Sequence, residues 1–345
     1  MQNPSLIDIQ RQSLAHLPTP IQFLDKLSQD LGANVYVKRD DFSGLELSGN
    51  KIRKLEFGLA EALAQGCDTV ITTGAIQSNH CRATAFACQK LGLSCILVLT
   101  AEKPEHYEGN TFLDLMAGAD LRYIGDGSQR DEYIETLMAD LKKAGKKPYY
   151  IPVGASNAVG SLGYMNCYEE IVEQEKSLNI SFDAICLAVG SGGTYAGLWY
   201  ANALNNVPKD ILGFCVCDDA ATFTQAVDRI VVDLNKGLGQ KVLPKHFAEA
   251  EQGSTNFSFT DYCFNDQYIG EGYAKTTEAE IKFLIDTARK TGIVFDPCYT
   301  GKAFRGLVSE LRNGNFHNYK NILFIHTGGL YGWTRQSMNL AEGLF

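Results

Sequence analysis

The chain has 345 residues, 45% of them hydrophobic, so it is long enough to bury one large core or two medium ones. Its formal net charge of −9 argues against a surface that binds nucleic acid or anionic lipid, because such surfaces are basic. We therefore expect a small-molecule partner, with no nucleic acid and no membrane.

The N-terminal segment 1–20 has neither a basic start nor a long apolar run, and no stretch approaches the roughly 20 apolar residues of a membrane helix. The sequence therefore predicts a soluble, cytoplasmic protein. The ten cysteines include no C-x-x-C pair, and we expect most of them to be reduced and buried. The six histidines show no ligand spacing, so no metal site is predicted.

Short apolar segments that end in turns alternate along the chain with segments of helical spacing. The strand-like segments read "DTVITTG", "SCILVLT", "DAICLAVGSGG", "ILGFCVC" and "NILFIHTGG". This alternation predicts an α/β fold with two lobes, each an open, twisted, mostly parallel sheet with helices on both faces. The polar segment 251–266 is predicted to be an irregular surface connection. Ligands of parallel sheets bind beyond the carboxyl ends of the strands, so the turns there are the places to look for chemistry.

Lys51 stands at the start of an apolar helical pattern in "SGNKIRKLEF" (48–57). Asn50 is predicted to be the N-cap of this helix, and Gly66 to end it in left-handed geometry. A cation in a first helical turn is disfavoured by the helix dipole, and burial adds a desolvation cost, so both effects lower the pKa of the amine. Such an amine suits Schiff-base chemistry, although a lysine at a helix start is more often solvated than catalytic.

Ser78 and Asn79 lie in "TTGAIQSNHCRA" (72–83), on the turn between a predicted strand and its helix. Both are common capping and turn residues, which is a sufficient structural explanation for them. Near a cofactor, the asparagine amide has a second use as a donor to a phenolate oxygen. The serine hydroxyl, together with helix-start amides, has a second use in holding a carboxylate.

The segment "LAVGSGGTYAGL" (187–198) combines an apolar strand, a glycine-rich turn and a helix start. Gly190, Gly192 and Gly193 allow backbone amides to converge. Thr194 adds a hydroxyl, and the positive end of the helix points to the same place. The segment lacks both the lysine of a P-loop and the spacing G-x-G-x-x-G, so it favours a single phosphate over a nucleotide.

Further hydroxyl groups follow two later turns. Tyr299 and Thr300 come after a proline-fixed turn in "IVFDPCYTGKAF", and Thr327 ends a strand in "ILFIHTGGLYG". Each motif alone is a common structural one. Together, an amine, a phosphate cradle, an amide donor and a hydroxyl that faces a ring nitrogen are what pyridoxal phosphate requires of a protein.

These motifs together resemble the family of pyridoxal-phosphate enzymes that contains D-cysteine desulfhydrase and 1-aminocyclopropane-1-carboxylate deaminase, which has the tryptophan-synthase-β-like fold. The resemblance covers nearly the whole chain, from "LPTPIQF" through "IQSNH", "IPVGASNAVGSLGY", "GSGGTYAGL" and "DPCYTGKA" to "HTGG". It implies a large cofactor-binding domain made of residues 1–51 and 166–345 and a small α/β domain of residues 52–165. It also implies a homodimer.

The resemblance assigns roles to individual residues. It implies that Lys51 forms the Schiff base with pyridoxal phosphate, and that Asn79 hydrogen-bonds the ring hydroxyl and contributes to the substrate site. The residues implied to hold the phosphate are Gly190, Ser191, Gly192, Gly193 and Thr194. Ser78 is implied to face the substrate carboxylate or to serve as a catalytic hydroxyl, and Tyr273 and Tyr299 to line the substrate side. The family commonly has "GYGxP" around this first tyrosine, whereas this chain reads "GYAKT".

Two threonines distinguish the activities within the family. Deaminases of the cyclopropane amino acid typically carry Glu at the position of Thr300 and Leu at that of Thr327, whereas the threonines resemble D-cysteine desulfhydrases. A carboxylate beside the pyridine nitrogen makes the ring a strong electron sink, while a threonine hydroxyl at Thr300 only hydrogen-bonds a neutral nitrogen. Thr327 and Ser78 are the candidates for the substrate carboxylate. The pattern favours β-elimination of D-cysteine to pyruvate, hydrogen sulfide and ammonia.

Alternatives remain open at this stage. One alternative is that the chain has another enzyme activity, as either a deaminase of 1-aminocyclopropane-1-carboxylate or a β-elimination lyase for another small amino acid. From another class, it is a non-catalytic protein that binds pyridoxal phosphate or an amino acid. Cys298, beside the tyrosine, and "GGLYGW", after the last predicted strand, depart from the family pattern and touch the substrate pocket.

Overall fold

The computed structural model describes residues 9–205, 209–238 and 262–345. The larger of its two sheets contains six strands, in the order β1-β2-β10-β7-β8-β9. These are β1 (Ile21–Phe23), β2 (Asn34–Lys38), β7 (Ala184–Val189), β8 (Asp210–Cys215), β9 (Cys263–Asn265) and β10 (Asn321–Ile325). Among the described strands of this sheet, only β1 runs antiparallel to its neighbour.

The smaller sheet contains four parallel strands in the order β5-β4-β3-β6. These are β3 (Thr69–Gly74), β4 (Ser94–Thr100), β5 (Asp120–Ile124) and β6 (Pro148–Ile151). Every residue of β3 is buried, which is typical of a parallel strand covered on both faces.

Helices cover both sheets. They are α1 (Asp25–Leu31), α2 (Asn50–Ala64), α3 (Asn79–Leu91), α4 (Gly109–Met116), α5 (Arg130–Lys143), α6 (Ala158–Leu178), α7 (Gly193–Leu204), α8 (Ala220–Leu238), α9 (Glu278–Thr291), α10 (Thr300–Arg312) and α11 (Arg335–Glu342). None of the helices in the described ranges has the length and apolarity needed to cross a membrane.

The central strand β7 shows why the sheet is covered on both faces. Leu187 and Val189 pack into one hydrophobic core, while Cys186 and Ala188 pack into another on the opposite side. Successive side chains of a strand point to opposite faces, so a continuously apolar strand requires two cores. The predicted fold class, mostly parallel sheets with helices on both faces, is confirmed.

The two sheets are built from different parts of the chain. All four strands of the small sheet lie within residues 52–165, and the described strands of the large sheet lie outside that range. Both implied boundaries fall inside helices, the first in α2 and the second in α6, so no break in secondary structure marks them. The bounds themselves stay a prediction.

Segment 251–266 differs from its prediction where it is described. Its residues 251–261 lie outside the described part of the chain, but Cys263–Asn265 forms β9, the edge strand of the large sheet, which pairs with β8. The backbone N–H of Cys263 also donates to the hydroxyl of the buried Tyr195. These hydrogen bonds make residues 263–265 a strand although the segment is polar.

All ten cysteines are free and seven are buried, which confirms the prediction that most are small core residues.

Candidate active site

A cavity of about 280 Å³ lies where the carboxyl ends of strands from both sheets meet. Its walls include the ends of β3 and β7 and the turn that follows β10. The described residues that line it include these predicted site residues: Lys51, Ser78, Asn79, Gly190, Ser191, Gly192, Thr194, Tyr273, Tyr299 and Thr327. The predicted residues Gly193 and Thr300 do not line it. The cavity occupies the position at which parallel α/β sheets bind ligands.

The start of α2 is fixed by close backbone packing. Gly49, rather than Asn50, is its N-cap, so the predicted cap was wrong by one residue. A Cβ at Gly49 would lie 2.6 Å from the carbonyl oxygen of Thr327, and Gly49 has a φ of 105°, so only glycine fits. The carboxamide of Asn50 is used elsewhere, because its Nδ2 donates to Thr194 Oγ1 at 2.9 Å. Gly66 is left-handed as predicted, with a φ of 67°.

Lys51 therefore enters the cavity from the first turn of a buried helix. Burial lowers the pKa of its amine from 10.5 to about 8, the direction expected from the sequence. No Asp or Glu occurs among the described residues that line the cavity. The amine is thus uncharged in part near neutral pH, which is the state that attacks a carbonyl or accepts a proton.

A second lysine, which was not among the predicted site residues, lies one turn along the same helix. Lys54 is 1% exposed, and its Nζ donates to Ser156 Oγ at 3.1 Å. Burial, and then repulsion from Lys51, hold the pKa of Lys54 well below its usual value. Residues three apart lie on the same helix face, so the spacing of the two lysines in "KIRK" was the available signal.

The glycine-rich turn lies directly over Lys54. Gly192 has a φ of 83°, and α7 begins at the next residue. A Cβ at Gly193 would lie 2.6 Å from Lys54 Nζ, so a side chain there would displace the ammonium group. Ser156 Oγ lies 2.8 Å from Ser191 Oγ. This arrangement fits a phosphate group. It combines a helix N-terminus, two hydroxyls and a cation that has no counter-ion among the described residues.

Ser78 and Asn79 occupy the turn between β3 and α3. Ser78 is the N-cap of α3, because its Oγ accepts from the N–H of Cys81 at 3.2 Å. Asn79 Oδ1 accepts from Nδ2 of Asn110, a residue of α4, at 3.0 Å. The capping explanation for Ser78 therefore holds, and its hydroxyl proton remains available to the cavity.

Tyr273 and Tyr299 form one unit on the cavity wall. Their hydroxyl oxygens lie 2.5 Å apart and their rings meet edge to face, with centroids 5.8 Å apart. Burial raises the pKa of both phenols well above the usual value, so both stay protonated. The loop turns through Ala274 at a φ of 56°, where the family motif has glycine, so "GYAKT" keeps the turn with some backbone strain.

The two diagnostic threonines are placed differently. Thr327 lines the cavity, whereas Thr300 is fully buried and its Oγ1 donates to Asp296 Oδ1 at 2.5 Å. The Asp296 carboxylate also accepts from the backbone N–H groups of Tyr299 and Thr300 at the start of α10. The structure therefore does not bring the hydroxyl of Thr300 into the cavity. Burial raises the pKa of the neighbouring Cys298 thiol to about 12, so this cysteine is not a thiolate.

No group of three or more potential metal ligands occurs in the described ranges. An electrophilic carbonyl cofactor that carries a phosphate fits the observed donors instead: a reactive amine, an anion cradle with its own cation, and an amide.

Comparison with known proteins agrees with this chemistry. The family model for pyridoxal-phosphate-dependent enzymes matches residues 12–328. A bifunctional D-cysteine desulfhydrase/1-aminocyclopropane-1-carboxylate deaminase of Arabidopsis thaliana is 40% identical over 93% of this chain and 78% of its own length. A D-cysteine desulfhydrase of Serratia proteamaculans is 35% identical over 94% of this chain and 95% of its own length. The solved structure of an ACC deaminase homologue superposes with a TM-score of 0.86 at 37% identity, covering 98% of this chain and 97% of that one.

Proposed function

Since this chain belongs to the family of pyridoxal-phosphate-dependent enzymes and takes pyridoxal phosphate as its cofactor, we propose that it catalyses β-elimination of D-cysteine. D-cysteine and one water would give pyruvate, hydrogen sulfide and ammonia. One observation carries the proposal: the described cavity lining contains the hydroxyl of Thr327 and no carboxylate. The Serratia relative is named for this reaction and the Arabidopsis relative for this reaction and the deaminase reaction.

The two reactions differ in how much electron withdrawal they require from the site. When bound, the cofactor withdraws electrons from the substrate α-carbon, and a carboxylate beside its ring nitrogen would strengthen that withdrawal. The nearby carboxylate of Asp296 is bonded to backbone amides and to the hydroxyl of Thr300, so it is not free for this task. Opening a cyclopropane ring has no good leaving group and needs the stronger withdrawal. Expelling sulfide from a β-carbon does not.

Named residues would hold the cofactor. Lys51 would bond its carbonyl carbon, and the N–H group of the Asn79 amide would face its ring oxygen. Lys54 would neutralise the phosphate, together with the hydroxyl of Thr194 and the start of α7. These roles rest on the lining of the cavity and on the buried position of Lys54 under Gly193.

Other residues would act on the substrate. Ser78 and Thr327 would hold its carboxylate, with help from the free amides at the start of α3. Lys51 would remove the α-proton, because its pKa of about 8 leaves part of it uncharged at neutral pH. The protonated hydroxyls of Tyr273 and Tyr299 would hydrogen-bond the departing sulfur.

The test is product release from three substrates in parallel by the purified, cofactor-loaded protein. D-cysteine, L-cysteine and 1-aminocyclopropane-1-carboxylate would be supplied separately, and sulfide, pyruvate and 2-oxobutyrate measured. Sulfide and pyruvate from D-cysteine alone support the proposal. A Lys51→Ala protein should lose this turnover by several orders of magnitude, and near-normal elimination without the lysine would overturn the mechanism.

Deamination of 1-aminocyclopropane-1-carboxylate is the second candidate. It is favoured by the 37% identity to the solved ACC deaminase homologue and by the double name of the Arabidopsis relative. Release of 2-oxobutyrate from the cyclopropane substrate would establish it and refute the argument from the missing carboxylate. Bound cofactor with no turnover of any substrate would instead support another leaving group or a binding role.

We also propose a cytoplasmic homodimer, as the family resemblance implies. Light scattering of the purified protein tests the assembly. A mass near twice 37.9 kDa is expected, and a mass of one chain contradicts it.

A further inference from the structure

We infer that Asn110 is a positioning residue, which orients the Asn79 carboxamide so that its N–H group, rather than its oxygen, faces the cofactor. This inference rests on the proposed role of Asn79 beside the ring oxygen. Asn110 is the second residue of α4 and is fully buried. It does not line the cavity, so it would act only through its neighbour.

The hydrogen bonds of Asn110 define which way the Asn79 amide points. Nδ2 of Asn110 lies 3.0 Å from the backbone carbonyl oxygen of Gln77 and 3.0 Å from Oδ1 of Asn79. A backbone carbonyl only accepts, so the Asn110 atom that faces it must be the NH₂ group. That group donates to its second partner too, so the Asn79 atom beside it must be the oxygen. The NH₂ group of Asn79 is then the one left for the cavity.

A second set of contacts holds Asn110 itself in place. Its backbone N–H donates to Gln77 Oε1 at 2.9 Å, and Gln77 Nε2 donates back to the carbonyl oxygen of Glu108 at 3.1 Å. A Cβ at Gly109 would lie 2.6 Å from the same Gln77 Oε1, so α4 begins in direct contact with the turn. These hydrogen bonds therefore hold the start of α4 against the turn before Asn79.

The orientation has a chemical consequence. An N–H donor stabilises the ionised form of a ring oxygen, whereas the lone pairs of a reversed amide destabilise it. Without Asn110, the Asn79 amide is free to reverse, and the ring oxygen should then hold its proton to higher pH. The visible absorbance of the bound cofactor reports this protonation, and it needs no substrate.

The experiment titrates the cofactor-loaded wild type and variants from pH 5 to pH 10 and follows that absorbance. Asn110→Leu keeps similar volume without adding charge, and Asn110→Ala is the second variant if the first does not fold. Asn79→Ala is the reference for complete loss of the donor. Thr111→Val is the matched control, because it removes the hydrogen bond from the next residue of α4 to the carbonyl of Ile76 and leaves Asn79 untouched.

The Asn79→Ala and Asn110 variants should raise the pH midpoint by about 1 to 2 pH units, the size of one hydrogen bond to a charged group. Thr111→Val should leave the midpoint unchanged. A shift in the Asn79 variant without a shift in the Asn110 variants would overturn the positioning role alone. An equal shift in Thr111→Val would also overturn it, because the shift would then come from a general disturbance of α4 and not from the loss of the Asn110 side chain. No shift even in Asn79→Ala would refute the proposed role of Asn79 itself.

Discussion

Lys54→Met should change the stability of the apoprotein and its affinity for pyridoxal phosphate in opposite directions. Lys54 is 1% exposed, has one hydrogen bond, to Ser156 Oγ, and has no counter-ion among the described residues. Methionine has a similar shape and no charge to desolvate. The variant should therefore stabilise the free protein and weaken its binding of the phosphate group.

The size of each effect follows from the contacts. Replacing an uncompensated buried charge by an apolar side chain typically gains about 1 to 3 kcal/mol, which corresponds to roughly 1 to 4 °C in Tm for a chain of this size. A hydrogen bond to a charged group contributes about 1.5 to 3 kcal/mol, so affinity for pyridoxal phosphate should fall about 10- to 150-fold.

The assay compares two ligands. Equilibrium titration of apoprotein with pyridoxal phosphate should reveal the loss, whereas titration with pyridoxal, which lacks the phosphate, should give nearly equal affinities for wild type and variant. Lys38→Met is the matched control, because Lys38 is equally buried but bonded to Glu170, and this variant should lower Tm. An equal loss with both ligands, or a destabilised Lys54→Met apoprotein, would refute the reasoning.

Two further predictions test the local geometry. Gly154→Ala should weaken cofactor binding in a folded protein, because its Cβ would lie 2.5 Å from Ser191 Oγ and 3.1 Å from Lys51 Nζ and would displace both groups. Gly145→Ala, at a similar φ of 80° but in open space, should cost only about 1 kcal/mol and leave cofactor titration unchanged. Asp114→Asn should stabilise the protein at pH 9 but not at pH 4 in urea unfolding. Burial raises the pKa of Asp114 from 3.8 to about 8, so between these values the folded state holds a proton that the unfolded state lacks. Wild-type stability therefore falls as pH rises through that window, by at most about 6 kcal/mol, and a pH-independent difference would contradict this.

The strands and the lysine were predictable from local sequence. Continuous apolar runs such as "DAICLAVG" leave no polar face, so they predict β7 and its two covering layers. The pKa of Lys51 was expected to be lowered, and burial in the first turn of α2 lowers it. The N-cap was wrong because a close backbone approach at Gly49, which sequence does not reveal, fixes the helix start.

The rest of the site depends on contacts between segments far apart in sequence. Lys54 and Ser156 meet across 102 residues, and no local pattern encodes that pairing. Thr300 shows the opposite case, because its helix start and the preceding Asp296 satisfy one another locally. The two residues are only four apart in sequence, and the hydroxyl of Thr300 is used in this local contact.

The two sides of α2 differ in whether their positive charges have carboxylate partners. Arg53 lies between Lys51 and Lys54 in sequence but points away from both of them. It donates to both oxygens of the buried Asp40, whose pKa burial alone would raise but which Arg53 and Lys38 hold below its ordinary value. Lys51 and Lys54, on the other face, have depressed pKa values and no carboxylate partner in the described structure. A fold can leave positive charge uncompensated only at a cost in stability, so its concentration on one face marks where an anionic ligand must supply the missing partner.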